Sequence, residues 1–267
     1  METNLNIALV QGNTRWHEPQ ANRDYYGTLL QQAGNSTDIF ILPETFTSGF
    51  SNDAIADAET MEGPTLAWML EKARQHKAVV TGSVQIREHG QVFNRLVWAQ
   101  PDGRFKHYDK RHLFRMANEH QRYASGNERL VIEYKGWRIC PLVCYDLRFP
   151  VYSRNRFNHD VENRFDYDVL LYVANWPAAR RHAWNCLLPA RAIENLAYLA
   201  GVNRVGTDGN SIDYAGDSVA LDFMGQAIVS GGKQEDVLSC TLSASELEAF
   251  RARFPAYLDA DKFEITE

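Results

Sequence analysis

The sequence predicts a layered α/β protein whose sheets are mixed rather than purely parallel. Three observations carry this. Strand-like apolar runs alternate with amphipathic helical runs early and late in the chain, hairpins interrupt the middle, and turn residues bound most of the runs. Both faces of such sheets must be covered, and strand ends should meet along one edge, where ligands bind in open α/β sheets.

Asn6–Gln11 is the first strand. Pro19–Gln32 follows as an amphipathic helix with Tyr25, Leu29 and Leu30 on its apolar side and Gly34 as its stop. Ile39–Leu42 is a short buried strand that ends in Pro43-Glu44-Thr45-Phe46. Gly63-Pro64-Thr65 opens a second helix, to His76, with the proline at the first turn, where its missing N–H leaves nothing unpaired.

From Val79 the pattern turns to a meander: Val79–Ile86, Phe93–Gln100, a Pro101-Asp102-Gly103 turn, and Phe105–Tyr108. Lys110–Asn127 is polar and irregular, and so long a loop inside a compact domain is usually functional. Leu130–Tyr134 and Trp137–Val143 form a hairpin across Lys135-Gly136, and Cys144 stands where the apolar run gives way to charge, with Phe149-Pro150 barring any continuation. A polar stretch, Arg154–Asp168, precedes a strand at Val169–Val173 and a helix over Ala179–Asn195. Strands at Tyr198–Asn203, Asp217–Asp222, Ala227–Val229 and Val237–Thr241 and a closing helix, Ala244–Arg253, complete the order.

With 267 residues, 45% of them hydrophobic and 23% charged, the chain is expected to form one domain with a sizeable core. A net charge of -6 argues against a nucleic-acid partner, whose phosphates need clustered Lys and Arg. The N-terminal residues carry no basic-then-apolar leader and no segment is long and apolar enough to span a bilayer, so a cytoplasmic location and no membrane partner are expected. Cys140, Cys144, Cys186 and Cys240 show neither a disulfide framework nor zinc spacing, and the eight histidines form no ligand set. No metal site is expected.

A free cysteine is usually a small buried hydrophobe, and Cys144 becomes a nucleophile only if a base or cation stands near it. The chain supplies both at equivalent places: Glu44 follows one strand, Lys110 a second and Cys144 a third. A carboxylate can take the thiol proton, an ammonium can stabilise thiolate and oxyanion, and the sulfur can attack a carbonyl carbon. Singly, Glu44 and Lys110 read as solvated loop charges. Three complementary groups at three strand ends favour chemistry.

Leu42-Pro43-Glu44-Thr45-Phe46, Tyr108-Asp109-Lys110-Arg111-His112-Leu113-Phe114 and Leu142-Val143-Cys144-Tyr145-Asp146-Leu147-Arg148-Phe149-Pro150 resemble, in order, the three signature segments of the nitrilase superfamily of carbon-nitrogen hydrolases. Ala174-Asn175-Trp176-Pro177, Ala190-Arg191-Ala192-Ile193-Glu194-Asn195 and Gly201-Val202-Asn203-Arg204 extend the likeness, which runs from about Leu5 to Asp261 and is greatest toward the bacterial omega-amidases. The resemblance implies a four-layer α-β-β-α sandwich, dimerised or further assembled across a helical layer. It also implies roles: Cys144 as nucleophile, Glu44 as general base, Lys110 at the oxyanion with the backbone N–H of Tyr145, and Glu119 orienting Lys110 or the substrate.

Arg148, just past the nucleophile, can clamp a substrate carboxylate, the alternative being a structural ion pair with Asp146 or Asp168. Trp176 and Phe114 are candidate pocket walls. One departure from the family is the segment Asn155–Asp166, which looks longer than in close relatives and bears on oligomer geometry and pocket size. The resemblance implies cofactor-free hydrolysis of a small dicarboxylate monoamide such as α-ketoglutaramate through a cysteine thioester. Deaminated glutathione, N-carbamoyl compounds and nitriles are the alternative substrates within the superfamily. A non-catalytic binding or scaffold protein with the same sandwich is the alternative of another class. A serine hydrolase is dismissed for want of a G-x-S-x-G elbow.

Overall fold

Parallel strands need a crossover between them whereas antiparallel neighbours need only a turn, and both sheets of this protein are built on that rule. A computed structural model describes residues 3–34, 36–158 and 164–265. In the first sheet the spatial order is Asp236–Leu242, Leu5–Gln11, Ile39–Ile41, Val79–Glu88, Gln91–Ala99, Phe105–Asp109. Its three parallel strands, Leu5–Gln11, Ile39–Ile41 and Val79–Glu88, are joined through the helices Pro19–Leu30 and Pro64–His76, while the remaining neighbours are antiparallel.

The second sheet repeats the plan in the order Ala227–Ser230, Val219–Leu221, Tyr198–Asn203, Val169–Ala174, Trp137–Val143, Ile132–Tyr134. Its parallel centre is Trp137–Val143, Val169–Ala174 and Tyr198–Asn203, with the helix Arg181–Asn195 crossing between the last two. Pro141 sits in the central strand Trp137–Val143 and offers no N–H; the antiparallel partner Ile132–Tyr134 has already ended opposite Ile139.

Alternation along the strands sets the layers. Ile7, Leu9, Ile39 and Ile41 pack into a core shared with Ile139, Val169 and Leu171 of the other sheet, whereas Ala8, Val10 and Phe40 point the other way, onto Tyr26, Leu29, Leu30 and Met69 of the first two helices. Trp184 and Leu188 of Arg181–Asn195 cover the opposite face of the second sheet, packed on Gly201. The result is the α-β-β-α sandwich.

The strand before the cysteine ends at Val143, where the sequence reading ended it, and passes into a 3-10 turn, Cys144–Arg148, ahead of Phe149-Pro150. The structure differs from the sequence reading in two places. A hairpin of Val205–Thr207 and Asp213–Ala215 lies where no strand was expected; its strands are three residues long and one contains Gly206, too little for a period to register. Within Arg154–Asp168, Phe157–Asn158 pairs with Arg164–Phe165. The part of the inserted segment at 159–163 lies outside the described residues.

Candidate active site

Glu44, Lys110 and Cys144 each stand within three residues of the end of a strand. Glu44 comes after Ile39–Ile41 and Lys110 after Phe105–Asp109, both in the first sheet, and Cys144 after Trp137–Val143 in the second. All three, with Phe50, Phe114, Tyr145, Arg148, Asn175 and Trp176, line one open cleft.

Glu44, Lys110 and Glu119 are 0%, 1% and 0% exposed, so their charges must satisfy one another. Lys110 Nζ lies 2.9 Å from Glu44 Oε1 and 3.0 Å from each Glu119 oxygen. Asn94 Nδ2 donates to Glu44 Oε1 at 2.8 Å, and the Asn175 backbone N–H donates to Glu44 Oε2 at 2.8 Å. Glu119 Oε2 accepts from the Phe114 N–H at 2.6 Å. Phe50 covers the ammonium, its ring centroid 5.3 Å from Nζ.

These contacts set the protonation states. Burial alone would lower Lys110, but the carboxylates of Glu119 and Glu44 outweigh it and hold the ammonium well above the usual lysine range. Burial pushes the Glu119 carboxyl up, Lys110 pulling it back and Glu44 adding to the rise. Burial and then the Glu44 charge push the Cys144 thiol well above its ordinary value, against the pull of Lys110. The resting cysteine is therefore a thiol beside a carboxylate chemically able to take its proton.

The backbone aims the sulfur. Cys144 has φ 46°, in the left-handed region, and so does Thr45, next to Glu44, at φ 42°. Such conformations in residues with a Cβ cost on the order of 1–3 kcal/mol and persist only where their surroundings enforce them. Asp146 supplies much of that enforcement. Its Oδ2 accepts from the Val143 N–H at 3.0 Å and the Tyr108 hydroxyl at 2.8 Å, and its Oδ1 accepts from the His112 N–H at 3.0 Å with His112 Nδ1 at 2.7 Å. One buried carboxylate thus ties the turn that carries Cys144 to the residues flanking Lys110. The Tyr145 N–H falls in the first turn of the 3-10 segment, where N–H groups have no partner within the turn.

This geometry fits one family. The model for carbon-nitrogen hydrolases matches residues 6–252. The chain belongs to the carbon-nitrogen hydrolase family. The hydrolase is 59% identical, over 99% of this chain and 100% of the other, to a solved CN-hydrolase superfamily protein of Xanthomonas campestris with an arsenic adduct in its active site, with a TM-score of 0.97. It is 45% identical to omega-amidase YafV of Escherichia coli, over 98% of both chains. It is 30% identical to 2-oxoglutaramate amidase of Bacillus subtilis, over 96% of this chain and 97% of that one.

Of the sequence-derived candidates, Glu44, Lys110, Cys144 and Glu119 form one connected cluster, and Arg148, Tyr145, Trp176 and Phe114 surround it. The ion pair considered for Arg148 is not made: Asp146 is occupied as above, and Asp168 pairs with Arg251 at 2.6 Å and Arg138 at 3.5 Å. The Arg148 guanidinium instead lies 5.0 Å from the Trp176 ring centroid. Sequence reasoning missed Asn94 and Asn175, which fix the Glu44 carboxylate, and Phe50, Arg180, Ile212 and Tyr214, which shape the cleft. Asn175 stood in the Ala174-Asn175-Trp176-Pro177 motif; Asn94, in the middle of a strand, gave no signal beyond being polar where the pattern is apolar. Among the described residues, no group of three or more His, Cys, Asp and Glu side chains is placed to hold a metal ion.

Proposed function

We propose that this carbon-nitrogen hydrolase is an omega-amidase, removing ammonia from the terminal carboxamide of a small dicarboxylate monoamide through an acyl-cysteine intermediate. The observation that carries the chemistry is the buried ammonium of Lys110, held between Glu44 and Glu119 at the foot of a cleft that also presents Cys144. The full-length likeness to proteins named omega-amidase and 2-oxoglutaramate amidase supports the substrate class.

Glu44 takes the thiol proton as Sγ attacks the carboxamide carbon. The developing oxyanion is received by Lys110 Nζ and the Tyr145 N–H. Collapse breaks the C–N bond, Glu44 returns its proton to the leaving nitrogen, and ammonia departs from the thioester. Glu44 then deprotonates a water that attacks the same carbon, the thiolate leaves and recovers a proton, and the acid is released. Glu119 holds Lys110 in place. Arg148 receives the far carboxylate of the substrate, braced on Trp176.

The protein works as a homodimer or higher homo-oligomer in the cytoplasm. Exposed Ile193, Met224, Phe254 and Leu258, on or beside the outer helical layer, support assembly there. Among the described residues no helix is long and apolar enough to cross a membrane. Ammonia released from a panel of dicarboxylate monoamides, neutral amides, nitriles and N-carbamoyl acids tests the reading. Turnover greatest for the monoamides is expected, and preference for nitriles or carbamoyl acids refutes it.

A further inference from the structure

We propose that Arg180 is a specificity-determining residue that joins Arg148 in a two-guanidinium clamp on the carboxylate end of the substrate, an inference that rests on the amidase reading above. Both side chains line the cleft that holds Cys144. Among the described residues, neither guanidinium has a hydrogen bond or a carboxylate partner, whereas Arg95, Arg129, Arg181 and Arg251 are all ion-paired.

Each is instead laid against an aromatic ring. The Arg148 Cζ is 5.0 Å from the Trp176 centroid and the Arg180 Cζ 5.1 Å from that of Phe114. Stacking fixes the plane of a guanidinium and leaves its N–H fork open for a planar anion. The two supports are themselves anchored: Trp176 Nε1 donates to the Arg180 carbonyl at 2.8 Å, and the Phe114 N–H is held by Glu119.

The electrostatics ask for an anion. Lys110, Arg148 and Arg180 all line the cleft, and Glu44, already paired with Lys110, is the one acidic residue among its lining. Arg180 also stands at the N-cap of the helix Arg181–Asn195, which has no acidic residue in its first turn and no side-chain cap. The positive end of the helix dipole makes this an unfavourable place for a cation and a favourable one for an anion. Its neighbour Arg181 is compensated by Asp217, at 2.5 and 2.8 Å, while no carboxylate among the described residues pairs with Arg180.

A substrate carboxylate offers two oxygens to the two forks, and a 2-oxo acid a third in the same plane. An amino-acid amide of equal length, with an ammonium beside its carboxylate, brings a fourth cation into the cleft and is rejected.

The test uses the full chain and its Arg180→Gln variant, with glutaramate and pentanamide as an anionic and a neutral amide of equal acyl length, and with direct calorimetric binding of 2-oxoglutarate. The expected result is a roughly 10- to 100-fold fall in kcat/KM for glutaramate through KM, the range of one charge-assisted hydrogen bond. Pentanamide turnover should change less than about 2-fold and 2-oxoglutarate binding should weaken in parallel. Equal loss on both amides, or unchanged 2-oxoglutarate binding, overturns the clamp. If the wild type hydrolyses neither amide yet binds 2-oxoglutarate through Arg180, the amidase reading fails and the anion site stands.

Discussion

Replacing Lys110 with methionine removes one positive charge from between two buried carboxylates, and its consequences can be worked from the contacts. Loss of one oxyanion donor costs roughly 10²- to 10³-fold in turnover. Glu44 at 2.9 Å and Glu119 at 3.0 Å from the missing Nζ are then left as like charges in a buried site, and one of them takes up a proton. When Glu44 carries it the general base is lost as well, a further factor of about 10² or more. We expect kcat to fall at least about 10⁴-fold.

Stability falls too, because an unpaired buried charge costs about 3–5 kcal/mol. The loss should depend on pH. Burial already raises the Glu119 carboxyl in the wild type, and without Lys110 it rises further. A carboxyl whose folded value lies above its unfolded one, about 4.3, contributes its stability below that value and loses it as pH rises through the folded one. The gap between variant and wild type should therefore be small near pH 4 and widen toward neutrality. Ammonia release and urea denaturation at several pH values measure both. A kcat within tenfold of the wild type, or a stability gap that does not change with pH, refutes the reasoning.

Other substitutions separate the remaining roles. Glu44→Gln should slow turnover by about 10²-fold or more yet speed iodoacetamide labelling of Cys144 at neutral pH, since the Glu44 charge, with burial, holds that thiol protonated at rest; peptide mass spectrometry reads the labelling, and unchanged or slower labelling in the variant contradicts that cause. Cys140 and Cys240, pushed up to about 12 by burial, should stay unlabelled at neutral pH in both proteins. Arg148→Ala should raise KM for a carboxylate-bearing amide roughly 10- to 100-fold without lowering Tm appreciably, because no ion pair is broken; a large loss of Tm would restore the structural role. Asp146→Ala strands the Val143 N–H, the Tyr108 hydroxyl and the His112 N–H, and should cost at least about 3 kcal/mol by denaturant unfolding.

Much of the sandwich was legible because buried parallel strands announce themselves as apolar runs and their crossovers as amphipathic helices. The closing helix Ala244–Arg253 is where the pattern put it. Glu44, Lys110 and Cys144 were legible for a related reason, each standing where an apolar run breaks into charge. What supports them was not. Asn94 reaches Glu44 from the strand Gln91–Ala99, and a polar residue inside such a strand reads the same whether it faces solvent or a buried carboxylate. Asp146 lies two residues from Arg148 and so invited an ion pair. The 3-10 turn directs its carboxylate inward, to Val143, Tyr108 and His112, a direction set by the backbone at Cys144. Arg180 is silent in sequence because its meaning comes from Phe114, whose segment the fold brings across the cleft.

The claim on which the rest depends is that the substrate's acyl group passes through the sulfur of Cys144. Acid quenching during steady-state turnover of glutaramate, followed by mass spectrometry of the peptide containing Cys144, measures it directly. The account expects that peptide to carry the mass of the acyl group, with the adduct removed by hydroxylamine. Turnover that continues in a Cys144→Ala variant, or an adduct on any other residue, contradicts it.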